Sequence, residues 1–554
     1  MSKFKLPEKR NVKSIGGFHG VSAIFPKFKD IIDYEENNIY VNRGYPRFVS
    51  HPIITVLESE NKKNFNAVGA ISCHSYQSAI FLVIDFFFRK GNKIYFDAGL
   101  PLEHFNYLCK KFPGVITKAK ASEADILVLS SQSGMFPNYI AGKINIGLLG
   151  IDDLDETNKS KKLDLLIRHD QKNNIGIILI FSIRYAMLSI LRRHIGIIVS
   201  SRKICSKEVS TETKLRLEEN LKNIIANLEH GDPHKCFLYP SGMAAIFASI
   251  FSLLSEKKNQ FIALGSLYVD TIRILEKWSK KYGFPETIFI REKIIKNLGD
   301  SISDNTAGII VEIPSNPLIQ LVDLEKIVEI AHSKGVKVIV DSTIATPYNF
   351  NPFEFDADFI VHSTTKFLSG KNNHIGGVLL IKDDSASKKI EEFQKLANLD
   401  MNFNEIKILT RNIRNFKERM KKINKNSAIV AKFLVSHKAI KKVYHPSLEG
   451  DPNHKLMEKY LKGGSGLLSF ILKESTKQKA EKFYDNLHSP ILKGPSLGSE
   501  KTLLSPYVIM AHYKDSKEEL EKLGFDFYLM RLSVGIEQSE KIIKSLDHAL
   551  NFSN

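Results

Sequence analysis

The chain has 554 residues, a formal net charge of +18 and four cysteines, a length with room for several domains and a large core. Its 43% hydrophobic and 25% charged residues suit a globular protein and exclude a disordered or fibrous one. The surplus Lys and Arg are spread along the chain and form no recognised module, which argues against nucleic-acid binding and leaves acidic metabolites as the milder use of the charge.

From the amino terminus, MSKFKLPEKRNVKS is basic but lacks the apolar core of a secretory signal. Cys73, Cys109, Cys205 and Cys236 have no metal-like spacing. No metal site or disulfide framework is therefore expected, and a reducing cytoplasm fits. Residues 74–80, HSYQSAI, precede an apolar helical pattern much as residues 240–246, PSGMAAI, do, and each is followed by a short strand-like run, KIYFDAG or FIALGS. ADILVLSSQ then reads as a further strand. The most apolar stretch, 175–199, carries Arg184 at its centre and Arg192, Arg193 and His194 beyond it. It reads as a buried strand followed by an amphipathic helix, and a membrane span is not expected. No Pro/Gly/Ser-rich linker separates this front third from the rest.

Residues 206–228 form a charged amphipathic helical pattern, and 236–239 a short strand. Gly242-Met243 then opens a helix of small and apolar residues. A glycine at a strand-to-helix turn lets the backbone approach a phosphate, whose charge the free N–H groups bind. Tyr268 follows the strand FIALGS, and Ser315-Asn316-Pro317 turns at the end of GIIVEI. Residues 323–334 read as a crossover helix capped by Gly335. The run VKVIVD is a buried parallel strand with Asp341 at its carboxyl end. After a loop and a second apolar run, ADFIVHS, comes Thr364-Thr365-Lys366. The carboxyl ends of parallel strands are where an open α/β sheet places its chemistry.

An aspartate and a lysine at two strand mouths, with hydroxyls beside the lysine, suit pyridoxal phosphate (PLP). That cofactor needs a lysine amine, a carboxylate to keep its pyridine nitrogen protonated, and hydroxyls and N–H groups around its phosphate. After about residue 395 the pattern changes to long charged helices and further strands, a smaller α+β region. Arg531 lies inside the strand-like run YLMRLSVGI. An arginine there needs a buried partner, which favours a functional carboxylate contact.

The stretch 341–377 resembles the active-site block of the Cys/Met-metabolism PLP enzymes, the cystathionine γ-synthase family. Three further blocks fall in that family's order: the phosphate turn from Tyr239, Gly265-Ser266-Leu267-Tyr268, and the loop from Glu312 to Pro317. The likeness covers roughly 230–554. It implies PLP-dependent transferase fold type I, aspartate-aminotransferase-like: a mainly parallel sheet with helices on both faces and a C-terminal α+β small domain. To this the chain adds an extra N-terminal α/β region. The expected division is 1–205, 206–395 and 396–554, with about 50–150 either a degenerate partial copy of the PLP domain or a chance likeness. The copy lacks counterparts of Asp341 and Lys366.

By the same resemblance, Lys366 is the Schiff-base lysine, Asp341 the partner of the pyridine nitrogen, and Tyr268 the ring-stacking and proton-assisting residue. Gly242, Met243, Ser363 and Thr365 hold the phosphate. Asn316 lies beside the cofactor or the substrate carboxylate, Arg531 pairs with that carboxylate, and Ser496 helps position it. Family members borrow a Tyr-x-Arg element from a neighbouring subunit, and Tyr45 with Arg47, or Arg202 by its position, compete for that part. A homodimer or homotetramer with shared sites is implied, acting on small amino-acid substrates. The opening, from HGVSAIF to RFVSHP, resembles the extended cystathionine γ-synthases of fungi. That tilts the expected reaction to γ-replacement on an O-acylated homoserine by cysteine. Cystathionine or methionine lyase, sulfhydrylase, or a non-catalytic regulatory homologue are the alternatives. Departures at Ser342 and in the loop SGKNNHIGG leave side-chain specificity open.

Overall fold

The computed structural model describes residues 8–10, 12–41, 50–87, 91–97, 120–130, 136, 140–149, 163–205, 209–255 and 257–553. Tyr45, Arg47 and Cys109 lie outside them. The first helix, α1 (Phe28–Glu35), places Phe28 and Ile31 on one buried face. It packs with Phe25, Ile39 and Val41 into the core of the C-terminal region, against Leu434, Phe483 and Leu550. The front third is therefore not one body: residues 23–41 join the core of the C-terminal region, and strands between 69 and 180 build a sheet of their own.

That sheet comprises β1 (Gly69–Cys73), β2 (Ile94–Phe96), β3 (Ile126–Ser130), β4 (Ile144–Leu148), β5 (Leu165–Asp170) and β6 (Ile175–Ile180), with α2 (Tyr76–Phe87) after β1 and α3 (Leu188–Ile195) after β6. Its strand order is β1-β6-β5-β4-β3-β2. Strand β6 runs antiparallel to both neighbours, and the remaining pairs are parallel. The sheet extends past the 50–150 expected for the echo because a tight hairpin returns β6 between β1 and β5.

The second sheet follows α4 (Thr211–Leu228), which Ser210 caps by accepting from the Thr213 N–H. It contains β7 (Cys236–Tyr239), β8 (Gln260–Leu264), β9 (Ile288–Ile290), β10 (Thr306–Glu312), β11 (Lys337–Asp341), β12 (Phe359–His362) and β13 (Gly377–Ile381), with α5 (Gly242–Leu253), α6 (Val269–Tyr282) and α7 (Asp384–Ala397) among its helices. Its order is β7-β13-β12-β11-β10-β8-β9, with β13 the antiparallel member. The β-branched runs of β10 and β11 are buried on both faces, as strands of a covered parallel sheet must be. A third sheet, from residues 440–533, includes β14 (Leu467–Leu472) and β15 (Met530–Ser533). Among the described residues, no helix is long and apolar enough to cross a membrane.

Candidate active site

Strands β10, β11 and β12 end together, and their carboxyl ends open into a cavity of about 390 Å³. Gly242, Met243, Tyr268, Glu312, Asn316, Asp341, Thr343, Ser363, Lys366 and Arg531 line it. The topology thus gathers residues that lie almost three hundred positions apart.

At one wall, α5 begins after Ser241, whose hydroxyl accepts from the Ala244 N–H. A Cβ on Gly242 would come within 2.7 Å of the Ser363 Cβ, so only glycine lets this turn close on the neighbouring strand end. The first amides of α5 and the half-buried Ser363 face the cavity together, the arrangement an anionic phosphate requires. Asp341 accepts from the Thr343 N–H at 3.0 Å, and the Thr343 hydroxyl accepts from the Ser363 N–H at 2.9 Å. Burial raises Asp341 above the ordinary carboxylate value, opposed by the Thr343 bonds. A cationic ring nitrogen would offset that cost. Lys366 Nζ donates to Ser496 Oγ at 3.3 Å.

Arg531 on β15 is only 5% exposed. Its guanidinium donates to Asn316 Oδ1 at 3.1 Å and to the Pro495 carbonyl at 2.6 Å, and lies 4.9 Å from the centre of the Tyr507 ring. Asn316 therefore acts on the arginine, fixing its fork toward the cavity. Glu312, prominent only as part of a motif in the sequence, accepts from the Tyr268 N–H at 2.7 Å. Burial and the neighbouring Asp341 push its carboxyl well up, opposed by the Tyr268 and Asn316 amides and Arg531. It anchors Tyr268, the residue preceding α6, at the cavity wall.

Two expected phosphate ligands are placed elsewhere. Thr365 is 1% exposed, and its hydroxyl accepts from the Gly376 N–H and donates to the Gly376 carbonyl, fastening the loop that carries Lys366. Arg202 does not reach the cavity. It pairs with Glu405 at 3.1 Å, and Glu405 also accepts from His374, which bonds the Thr364 hydroxyl. Burial works to raise Glu405, but His374 and then Arg202 carry it down to about 2. This buried network braces the lysine loop from behind, so Arg202 supports the site without facing it. Sequence distance from Gly242 suggested the phosphate; the partner that claims the guanidinium is a glutamate 203 positions later.

The rim holds residues not singled out for the site from the sequence: Tyr34 and Glu35 from α1, Arg193 from α3, Arg273 from α6, and Tyr507, Tyr513 and Lys514. Arg193 and Arg273 both pair with the buried Asp270 at 3.1 Å. The only visible signal for Arg193 was a cluster of cations closing an apolar run.

Cavity, lysine, aspartate and anion-binding turn fit PLP, and together with the sheet they define a PLP-dependent enzyme of fold type I. The chain belongs to the Cys/Met metabolism PLP-dependent enzymes, whose family model matches residues 212–551. A cystathionine β-lyase of Bacillus subtilis is 31% identical over 340 residues, covering 61% of this chain and 84% of the relative. A cystathionine γ-synthase of Xanthomonas oryzae, solved with aminoacrylate and cysteine, superposes with a TM-score of 0.58 at 26% identity, over 61% of this chain and 86% of the other. A Campylobacter jejuni structure carrying pyridoxyl-lysine monophosphate gives 0.57 at 28% identity, over 60% and 86%.

Proposed function

We propose that the chain catalyses γ-replacement on an O-acylated homoserine, with cysteine as the thiol and cystathionine as the product. PLP, when bound, supplies the electron sink that makes the substrate's Cα and Cβ protons removable. Lys366 holds the cofactor and moves those protons, with Ser496 directing its amine. Asp341 keeps the ring nitrogen protonated. Arg531, oriented by Asn316, takes the substrate α-carboxylate. Tyr268, held by Glu312, assists the proton at the γ-position. In the balance of the reaction the Cγ–O bond breaks, the acyl group leaves as a carboxylate, a Cγ–S bond forms, and the thiol proton passes to solvent. We place the enzyme in a reducing cytoplasm, as an oligomer of identical chains.

The observation that supports this reading is a single cavity faced at once by Lys366, Asp341 and the buried guanidinium of Arg531. The named activities of relatives favour a second reading: a β-lyase is 31% identical, so the same residues would serve α,β- or γ-elimination. Offering O-succinyl- or O-acetylhomoserine with cysteine, and separately cystathionine and methionine, decides between them. Cystathionine formation supports the synthase. Release of ammonia and a keto acid from cystathionine or methionine alone makes the enzyme a lyase.

A further inference from the structure

The two large sheets share one plan. β1-β6-β5-β4-β3-β2 matches β7-β13-β12-β11-β10-β8 strand for strand, including the single antiparallel member placed second. Each first strand leads into a helix, α2 or α5, and each antiparallel strand into another, α3 or α7. The caps agree as well: Ser75 Oγ accepts from the Ser78 N–H at 3.0 Å, and Ser241 Oγ accepts from the Ala244 N–H at 3.1 Å.

The two halves also hold each other reciprocally. Ser75 Oγ donates to the Asn398 carbonyl at 3.1 Å, one residue past the end of α7. Ser241 Oγ donates to the Gly196 carbonyl at 2.9 Å, one residue past the end of α3. Asn398 and Gly196 both have positive φ, 44° and 79°, the left-handed turn that ends a helix. Between these bonds Phe81 of α2 packs against Phe247, Phe251 and Phe393. Exchanging contacts of this kind is what a two-fold axis imposes on identical subunits. Here both sets belong to one chain.

The chemistry is not shared. In the register that pairs Glu312 with Asp341, the first sheet pairs Ser130 with Leu148. Residues 171–174 close a tight turn where the second sheet spends 363–376 and carries Lys366. Yet α3 reaches the catalytic cavity. Arg193 lines it one turn before Gly196, where the helix end meets the Ser241 turn. Two guanidinium groups, Arg193 and Arg273, share the single carboxylate of Asp270. Both guanidinium groups line the cavity, with the Glu35 carboxyl on the same wall.

We propose that the N-terminal sheet is an internal copy docked as a built-in subunit, which completes the catalytic cavity of its own chain and lends it Arg193 for an anionic group. This rests on the PLP-enzyme reading above. The anion is either the cofactor's phosphate or a carboxylate of the substrate, and each leaves its own trace. Arg193→Ala in the full-length protein weakens PLP, followed by absorbance titration of the apoprotein, about 10- to 150-fold if the phosphate is the ligand. If the carboxylate is the ligand, PLP affinity holds and KM rises by that factor, with Arg193→Lys recovering part in either case. Unchanged PLP affinity and unchanged KM overturn the role of Arg193.

Built-in completion is tested by co-expressing full-length Lys366→Ala and Arg193→Ala chains and purifying the mixed assembly. The expected result is no activity beyond the sum of the two variants. Recovered activity means that the site is shared between chains, and overturns the proposal. A parent protein that binds no PLP sinks the functional reading instead. Docking is then read from the thermal unfolding of Phe81→Ala apoprotein, where a lowered transition for the catalytic region supports it and an unchanged one overturns it.

Discussion

The two large sheets have the same strand order and different fates. In the second, strands end in Glu312 and Asp341 and a long loop presents Lys366; in the first, the matching ends are Ser130 and Leu148 and the loop is a tight turn. Strand topology is set by buried apolar runs and short connections, which both halves possess. Reactivity needs a handful of polar residues at strand mouths, and those can be replaced without disturbing the core. What the first sheet retains is its packing face: Phe81, Ser75 and the end of α3.

The largest contrast is chemical. Lys366→Ala should lower kcat by at least about 10⁴-fold, since it removes the cofactor's anchor and a proton carrier together. Lys172→Ala, in the corresponding turn of the first sheet, should leave the rate unchanged. Steady-state kinetics on both variants checks the pair, and a loss with Lys172→Ala would give the first sheet a chemical part.

The interface comes next. Phe81→Ala removes the ring that joins α2 to α5 and α7, and should cost about 3–5 kcal/mol in unfolding free energy. Denaturant titration followed by near-ultraviolet dichroism would show it. A value near zero would mean that the two sheets do not stabilise each other.

Arg531→Ala should lower kcat/KM by about 30- to 150-fold, chiefly through KM, because a charge-assisted contact to the substrate carboxylate is lost. Arg531→Lys should recover only part, a point charge being unable to form the fork that Asn316 and Pro495 orient. An effect confined to kcat would place Arg531 elsewhere in the reaction.

The smallest effect concerns the rim. Burial raises the Glu35 carboxyl from its ordinary 4.5 to about 7, opposed by Lys514, Arg193 and Arg273. A raised carboxyl binds more protons folded than unfolded, so its contribution to stability is full below about 4.5 and is lost as pH rises through about 7. Glu35→Gln cannot ionise. Relative to the parent, the variant should therefore gain about 1–2 kcal/mol between pH 5 and 8, a figure reduced for partial solvent screening. Melting curves across that range test it, and a constant difference would show that Glu35 is not the group responsible.

Much of the catalytic sheet was legible because strand-end placement is a local property. VKVIVD followed by Asp341, and ADFIVHS followed by Lys366, announce themselves within a few residues. Arg531 was legible for a related reason, an arginine inside an apolar strand demanding a partner. Arg202 and Thr365 show the limit. Both are the right residue type at a plausible spacing, but nearer partners claim them: Glu405 takes the guanidinium and Gly376 the hydroxyl. Arg193 was hidden because most of its cavity is built by residues beyond position 240, and only the docking of α3 brings it there. The echo at residues 74–80 was visible, while its continuation through β5 and β6 was not, since that hairpin lacks the loop that marks the second sheet.

The most direct test is the number and place of cofactors. Full-length protein saturated with PLP, reduced with borohydride and digested should carry one pyridoxyl group per chain, on the peptide containing Lys366, and none on the peptide containing Lys172. No label on Lys366, or a second label within residues 69–180, would contradict an enzyme in which one sheet reacts and its likeness completes it.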